Sequence, residues 1–208
     1  MNLEENNRIL VIDDNMAIHD DFHKVFNIDQ DSQIINKLNS LLFNDKIEDK
    51  VLLNYEIVSA YQGEEGVALV KKSLEEGRPF AMAFVDMLMP PGINGIQAIK
   101  RIWEIDKDVQ IAICTAYSEY SWEDIIKELG MTDKLLILKK PFDNMEVRQI
   151  ACCLVNKWNL NQKAGLQIDD IRMILEKRNQ ETKISLTQLA NEKSTENKKL
   201  HSSYKDKS

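Results

Sequence analysis

Acidic side chains stand where two apolar runs stop. Asp13 and Asp14 follow Arg8–Ile12 (RILVI), and Asp86 follows Phe80–Val85. Thr115 comes directly after Val109–Cys114, and Lys140, with Pro141 next, comes shortly after Leu135–Leu138. Three carboxylates brought together repel one another, and a cation among them relieves that cost. An all-oxygen donor set suits Mg2+, which keeps several waters and also takes phosphate oxygens. In such a setting one carboxylate can attack phosphorus and carry an aspartyl phosphate. The metal and the Lys140 ammonium would neutralise charge developing on phosphoryl oxygens, and the Thr115 hydroxyl could hydrogen-bond one of them. Lys140–Pro141 is also a step at which a cis peptide bond is accessible; about 5% of such bonds are cis in folded proteins.

Each of these residues has a plainer reading when taken singly. Asp13 and Asp14 could cap a helix, because Asp satisfies orphan amides well. Thr115 could do the same, and Lys140-Pro141 could be an ordinary turn. Where the five residues fall along the chain is what points to chemistry.

The elements that position them alternate. Arg8–Ile12 is a continuous apolar run, as expected of a strand buried on both faces, and Tyr55–Ala60, Phe80–Val85, Val109–Cys114 and Leu135–Leu138 predict four further strands. Between and after them, Met16–Phe26, Gly63–Glu76, Ile96–Ile105, Ser121–Leu129 and a segment from about Asn144 read as helices, with Gly77 and Gly130 as stops. Met87–Gly95 (MLMPPGING) has loop chemistry. Five strands alternating with five helices predict an α/β fold with a doubly wound parallel sheet. Sites in such sheets form beyond the carboxyl ends of the strands. All five candidate residues fall at such ends.

Composition narrows the alternatives. The 208 residues carry a net charge of −7, which disfavours nonspecific nucleic-acid binding. No helix-turn-helix pattern or basic stripe follows Asn156. Cys114, Cys152 and Cys153 form no CxxC pair, and their odd number argues against a disulfide framework; reduced thiols and a cytoplasmic location are expected. The N-terminus, MNLEENNR, has no signal-peptide character, and no apolar stretch approaches the roughly 18 residues of a membrane span. His19 and His23, four apart on a predicted helix, could bind a metal, but a partly exposed helix face is the better expectation. Trp158 is expected to pack between helices, and Cys152-Cys153 to pack on the fifth helix.

Asp-Asp after the first strand, Asp ahead of MPPG, Thr-Ala after the fourth strand and Lys-Pro after the fifth resemble the response-regulator receiver domain of two-component signalling. The resemblance covers about residues 8–156. It implies a flavodoxin-like sheet in the order 2-1-3-4-5. It also implies a role for each residue. Asp86 would accept the phosphoryl group from a phosphohistidine on a partner kinase or phosphotransfer protein. Asp14 would hold Mg2+ directly and Asp13 through water, with Asp86 and the Leu88 carbonyl as further ligands. Thr115 and Lys140 would sense the phosphoryl group and shift the surface of the fourth helix, fifth strand and fifth helix. The stretches DDNMAIHDDF, AYQGEEG, GRPFAMAFVDMLMPPG, ICTAYSEYSWEDI and LLILKKPFDNMEVRQIA are similar to a receiver subgroup often joined to sensor-kinase or cyclic-nucleotide-signalling modules. Two features depart from the common pattern. Ile137 stands where receivers commonly have Tyr or Phe, so Tyr117, Tyr120 or Trp122 would have to substitute. The MPPG loop is also longer than usual.

Three segments are expected: a receiver domain over 1–156 with an insertion at about 27–54, a helical extension over 157–190, and a disordered tail over 191–208. In the extension, Val147, Leu154, Asn161, Ile168, Leu175, Thr182 and Leu189 fall at one heptad position. Ile150, Lys157, Ala164, Ile171, Arg178 and Ser185 fall at the other. This partial heptad predicts a coiled coil with a second copy, against which Gly165 counts by about 1 kcal/mol. The resulting expectation is a signalling receiver that acts through a homodimer or a downstream protein effector, with only slow self-dephosphorylation and no membrane or nucleic-acid partner. The competing class is a phosphatase or hydrolase with an aspartate nucleophile. Many of those place both acids in one Asp-x-Asp motif after the first strand, unlike the adjacent pair here.

Overall fold

A computed structural model of the chain describes residues 5–26, 55–116 and 120–205; from 184 onward it describes the backbone and, of the side chains, Thr187. The expected insertion at 27–54 and Tyr117 lie outside the described residues. The elements run β1 (Arg8–Ile12), α1 (Met16–Phe26), β2 (Glu56–Ala60), α2 (Gly63–Glu75), β3 (Met82–Asp86), α3 (Gly95–Ile105), β4 (Gln110–Thr115), α4 (Trp122–Leu129), β5 (Leu135–Lys139) and α5 (Asn144–Lys205). The strands form one sheet in the order β2-β1-β3-β4-β5, as the receiver-domain resemblance implies. Every neighbouring pair is parallel.

Burial explains the order. β3 (MAFVD) and β4 (QIAICT) are buried at every residue, as suits strands with neighbours on both sides and helices on both faces. β5 sits at an edge and leaves Leu136 and Lys139 exposed. Successive side chains of a strand point to opposite faces, and the apolar residues divide accordingly. Leu10, Ile12, Ala83, Val85, Ile111 and Ile113 meet Val70 of α2, Ile99 and Ile102 of α3, and Ile125 of α4. Ile9, Val11, Met82, Phe84 and Ala112 meet Phe22, Val25 and Phe26 of α1, and Val147, Ala151 and Leu154 of α5.

Local chemistry sets the helix ends. Asn94 and Gln97 form a capping box at α3, and Ser121 and Asp124 form one at α4. Past α2 the chain turns at Gly77, and past α4 at Gly130, both with positive φ, which only glycine adopts at no steric cost.

The chain divides into two units, Met1–Asn161 and Gln162–Ser208. The first ends beyond the expected limit at 156. Trp158 and Asn159 are buried, and Asn159 exchanges hydrogen bonds with the Asn6 backbone: Asn6 N to Asn159 Oδ1 at 2.9 Å, and Asn159 Nδ2 to Asn6 O at 2.8 Å. The second unit is helical to Lys205, so the disorder expected from 191 onward is not what the backbone adopts. Residues 166–205 contain no Gly or Pro and many Lys, Glu, Gln and Leu, which lose little on entering a helix. Ile168, Ile171 and Leu175, the best turn of the expected heptad, are 51%, 56% and 55% exposed.

Candidate functional site

The carboxyl end of the sheet gathers the five residues singled out by the sequence. Asp13 leaves β1 buried, at 2% exposure. Its N–H donates to the Ala60 carbonyl at the end of β2 (3.1 Å), and its Oδ1 accepts from Asn15 N (2.9 Å). Asn15 in turn accepts from Ala17 N through its side chain (3.0 Å). Asn15 therefore caps α1, and the acidic pair is not used as a cap. Asp14 is exposed.

Asp86 is the last residue of β3 and is 8% exposed. Its Oδ2 accepts from Leu88 N (3.2 Å). The chain beyond it is tied back at once: Met87 N donates to Cys114 O (3.2 Å) and Gly95 N to Met87 O (3.0 Å). A Cβ at Gly95 would stand 2.3 Å from the Asp86 carbonyl oxygen, so only glycine lets α3 start this close to the acid. The Leu88 side chain is exposed, and its N–H is the group that meets Asp86.

Lys140 closes the site. Its amide donates to Thr115 O (2.9 Å), which sets the chain beside β4. Its ammonium lies 2.7 Å from Asp13 Oδ2 and 2.6 Å from Asp86 Oδ1. The Lys140–Pro141 bond is cis, and so is Pro90–Pro91. Thr115 is buried at the end of β4, paired in register with Lys139. Its hydroxyl donates to Ala116 O (3.0 Å) and so faces its own backbone in this structure.

The electrostatics follow from that arrangement. Burial holds the Asp86 carboxyl above the ordinary carboxylate range; Lys140 works against this and the Asp13 charge adds to it. Burial would lower Lys140, but hydrogen bonds and charges from both aspartates outweigh it and raise the ammonium above the ordinary lysine range. Cys114, paired with Asp86 in register, has its thiol pushed up by burial.

Asp13, Asp14 and Asp86 each offer an oxygen, and these atoms lie within 4.8 Å of one another. At an effective dielectric of about 20, unit charges about 5 Å apart repel by about 3 kcal/mol. Lys140 offsets part of that repulsion. A set of oxygen donors with one member open to solvent has the chemistry that suits a hydrated Mg2+.

Other sequence expectations fare variously. His19 is not on a partly exposed face: it is 3% exposed, with Nε2 2.8 Å from Asp13 O and Nδ1 2.9 Å from Ser59 Oγ. Both ring nitrogens are engaged there, so no His19–His23 metal pair forms. Its placement was legible, since positions 19, 22 and 26 share a helix face and Phe22 and Phe26 are core residues. Trp158 packs in the core, as expected. Ile137 is partly buried and Tyr120 packs against the same core, whereas Trp122 is half exposed. No helix among the described residues is long and apolar enough to cross a membrane.

Comparison with known proteins agrees with this geometry. The response regulator receiver domain family matches residues 25–151, more than half of the 208-residue chain. The chain belongs to that family. The matched span begins after β1, so Asp13 and Asp14 are placed at the site by the sheet itself. Sporulation initiation phosphotransferase F of Bacillus subtilis is 31% identical over 115 residues, covering 52% of this chain and 86% of that protein. Among solved structures, a CheY-like response regulator receiver domain protein from Methanospirillum hungatei JF-1 is similar with a TM-score of 0.52 at 17% identity, over 74% of this chain and 98% of that one. A structure described as adenylate cyclase from Rhodopirellula baltica is similar with a TM-score of 0.54 at 21% identity, over 79% and 98%. The receiver domain of AraT from Geobacillus stearothermophilus gives 0.53 at 23%, over 76% and 98%. At these identities the solved structures speak for the fold.

Proposed function

We propose that this receiver accepts a phosphoryl group on Asp86 from a phosphohistidine of a partner kinase or phosphotransfer protein, with Mg2+ held at the acidic cluster. The observation that carries the reading is the Lys140 ammonium bridging Asp13 and Asp86, with Asp14 within 4.8 Å of both acids. An Asp86 carboxylate oxygen forms the new O–P bond as the P–N bond of the donor breaks. The electron pair returns to the donor imidazole. Lys140 neutralises a phosphoryl oxygen, and rotation of the Thr115 hydroxyl away from Ala116 O lets it donate to another. Asp13, Asp14, Asp86 and the Leu88 carbonyl are the groups assigned to the metal, which supplies charge neutralisation on the phosphoryl oxygens. A cation bound there would also relieve the repulsion among the three closely spaced acids.

The output assigned to the phosphorylated state is pairing with a second copy or a protein effector, through the helix from Gln162 onward or through the surface of α4, β5 and the first turns of α5. Self-dephosphorylation is slow, and the protein works in the cytoplasm. The test is incubation with acetyl phosphate and Mg2+, followed by intact-mass measurement. The wild type gains one hydroxylamine-labile phosphoryl group and Asp86→Asn gains none. A labile adduct that persists in Asp86→Asn moves the acceptor elsewhere. Many turnovers of free phosphate with no held adduct identify a hydrolase instead.

A further inference from the structure

Asp13 is held at every polar atom. Its amide donates to Ala60 O, Oδ1 accepts from Asn15 N, Oδ2 accepts from Lys140, and its carbonyl meets His19 Nε2 at 2.8 Å. A carbonyl oxygen only accepts, so Nε2 carries the hydrogen of that bond. In that Nε2–H tautomer Nδ1 accepts a hydrogen bond from the Ser59 hydroxyl at 2.9 Å. The Tyr61 ring covers the imidazole, its centroid 4.5 Å away. Ser59 and Tyr61 flank Ala60, the residue that takes the Asp13 amide. The end of β2 is thus joined to Asp13 twice, by backbone and through the imidazole.

The carbonyl held by His19 belongs to the peptide that links Asp13 to Asp14. Turning that peptide swings Asp14, an exposed acid whose direction is set by its backbone. We propose that His19 is a positioning residue for the cation site: by donating from Nε2 to the Asp13 carbonyl it fixes the Asp13–Asp14 peptide, so that both carboxylates face Asp86. This rests on the reading of Asp13 and Asp14 as cation-holding groups. A buried histidine with both nitrogens satisfied would otherwise serve stability alone, and the two roles separate experimentally. Hydrogen-bond partners standing behind metal ligands typically change metal affinity by about 10–100-fold when removed.

His19→Leu removes the donor and leaves a buried carbonyl unpaired, whereas His19→Gln keeps a donor nitrogen at a similar reach. Mg2+ affinity of the full chain is measured calorimetrically for the wild type and both variants, beside their melting temperatures. The expected result is a Kd about tenfold weaker in His19→Leu and within about threefold of wild type in His19→Gln. On isotope-labelled wild-type protein, ring nitrogen spectra show the Nε2-protonated tautomer and a scalar coupling across the bond to the Asp13 carbonyl carbon. This second measurement stands even if His19→Leu does not fold. Wild-type Mg2+ affinity in a folded His19→Leu variant with a lowered melting temperature overturns the proposal. So does equal weakening in both variants, or the Nδ1-protonated tautomer. If the wild type binds no Mg2+ and takes no phosphoryl group on Asp86, the functional reading fails first, whatever the ring spectra show.

Discussion

Replacing Lys140 with Met removes the cation between two buried acids while keeping most of the stem's volume. Two ammonium–carboxylate contacts of 2.7 and 2.6 Å are lost. At an effective dielectric of about 20, each is worth about 6 kcal/mol of direct attraction. Most of that is offset, because removing the ammonium also removes the cost of burying it. Breaking one side of a buried pair typically costs about 3–5 kcal/mol net. The Lys140 side chain keeps 23% exposure, which places the expected loss near the lower end, about 3 kcal/mol. For a domain of this size that is a fall of about 6–12 °C in melting temperature. The loss is also pH-dependent. Asp86 already lies above the ordinary carboxylate range through burial and the Asp13 charge, and without Lys140 it lies higher still. A carboxyl raised in the folded state favours folding while protonated, and that contribution disappears as pH rises through its folded value. The deficit of Lys140→Met should therefore be small near pH 4 and grow toward neutrality. Urea unfolding followed by tryptophan fluorescence, in a metal chelator from about pH 4.5 to 8, measures it. A deficit that is the same at every pH, or none at neutral pH, would refute the account of Lys140 as the partner of two buried carboxylates.

Four further outcomes follow from the same geometry. Mg2+ at about 100 times its Kd should stabilise the wild type by about 2.7 kcal/mol, read as a rise in melting temperature, and Asp14→Ala should abolish most of that rise. Gly95→Val should lose at least about 2 kcal/mol in urea unfolding and slow phosphoryl uptake from acetyl phosphate, because its Cβ cannot fit against the Asp86 carbonyl; unchanged stability would mean that α3 shifts freely. Asn159→Ala should cost about 1–2 kcal/mol in the same assay by breaking both bonds to Asn6. Truncation after Asn161 should leave a folded monomer by light scattering while the full chain is a dimer, and an unchanged dimer would place the interface on the first unit.

How much of this was legible follows from the kind of signal each feature leaves. β1, β3 and β4 are continuous apolar runs because both faces are buried, so the strands announce themselves and their ends mark the site. Asp13, Asp86 and Thr115 could be proposed because each sits one step past such a run, and Lys140 because it sits two steps past Leu138. Strand bounds moved by one or two residues: β3 starts at Met82 rather than Phe80, since Met82 is the first residue in the ladders with β1 and β4. Long-range polar pairings left no local trace. The Asn6–Asn159 exchange joins residues 153 apart, and His19 meets Ser59 across 40. His19 departs from the partly exposed face expected of it because its place on the Phe22–Phe26 face outweighs its polarity. Asn15 took the capping role that adjacent acids might have taken. In the tail, polar composition suggested disorder, whereas helix propensity without Gly or Pro governs the backbone to Lys205.

The most direct measurement locates the phosphoryl group itself. The protein is phosphorylated with acetyl phosphate and Mg2+, reduced with borohydride, which converts an aspartyl phosphate to homoserine, and digested for peptide sequencing by mass spectrometry. Homoserine at position 86, in the peptide containing FVDMLM, and at no other aspartate is the predicted result. Homoserine at Asp13 or Asp14, or none anywhere while Mg2+ binds normally, would contradict the assignment of Asp86 as the acceptor.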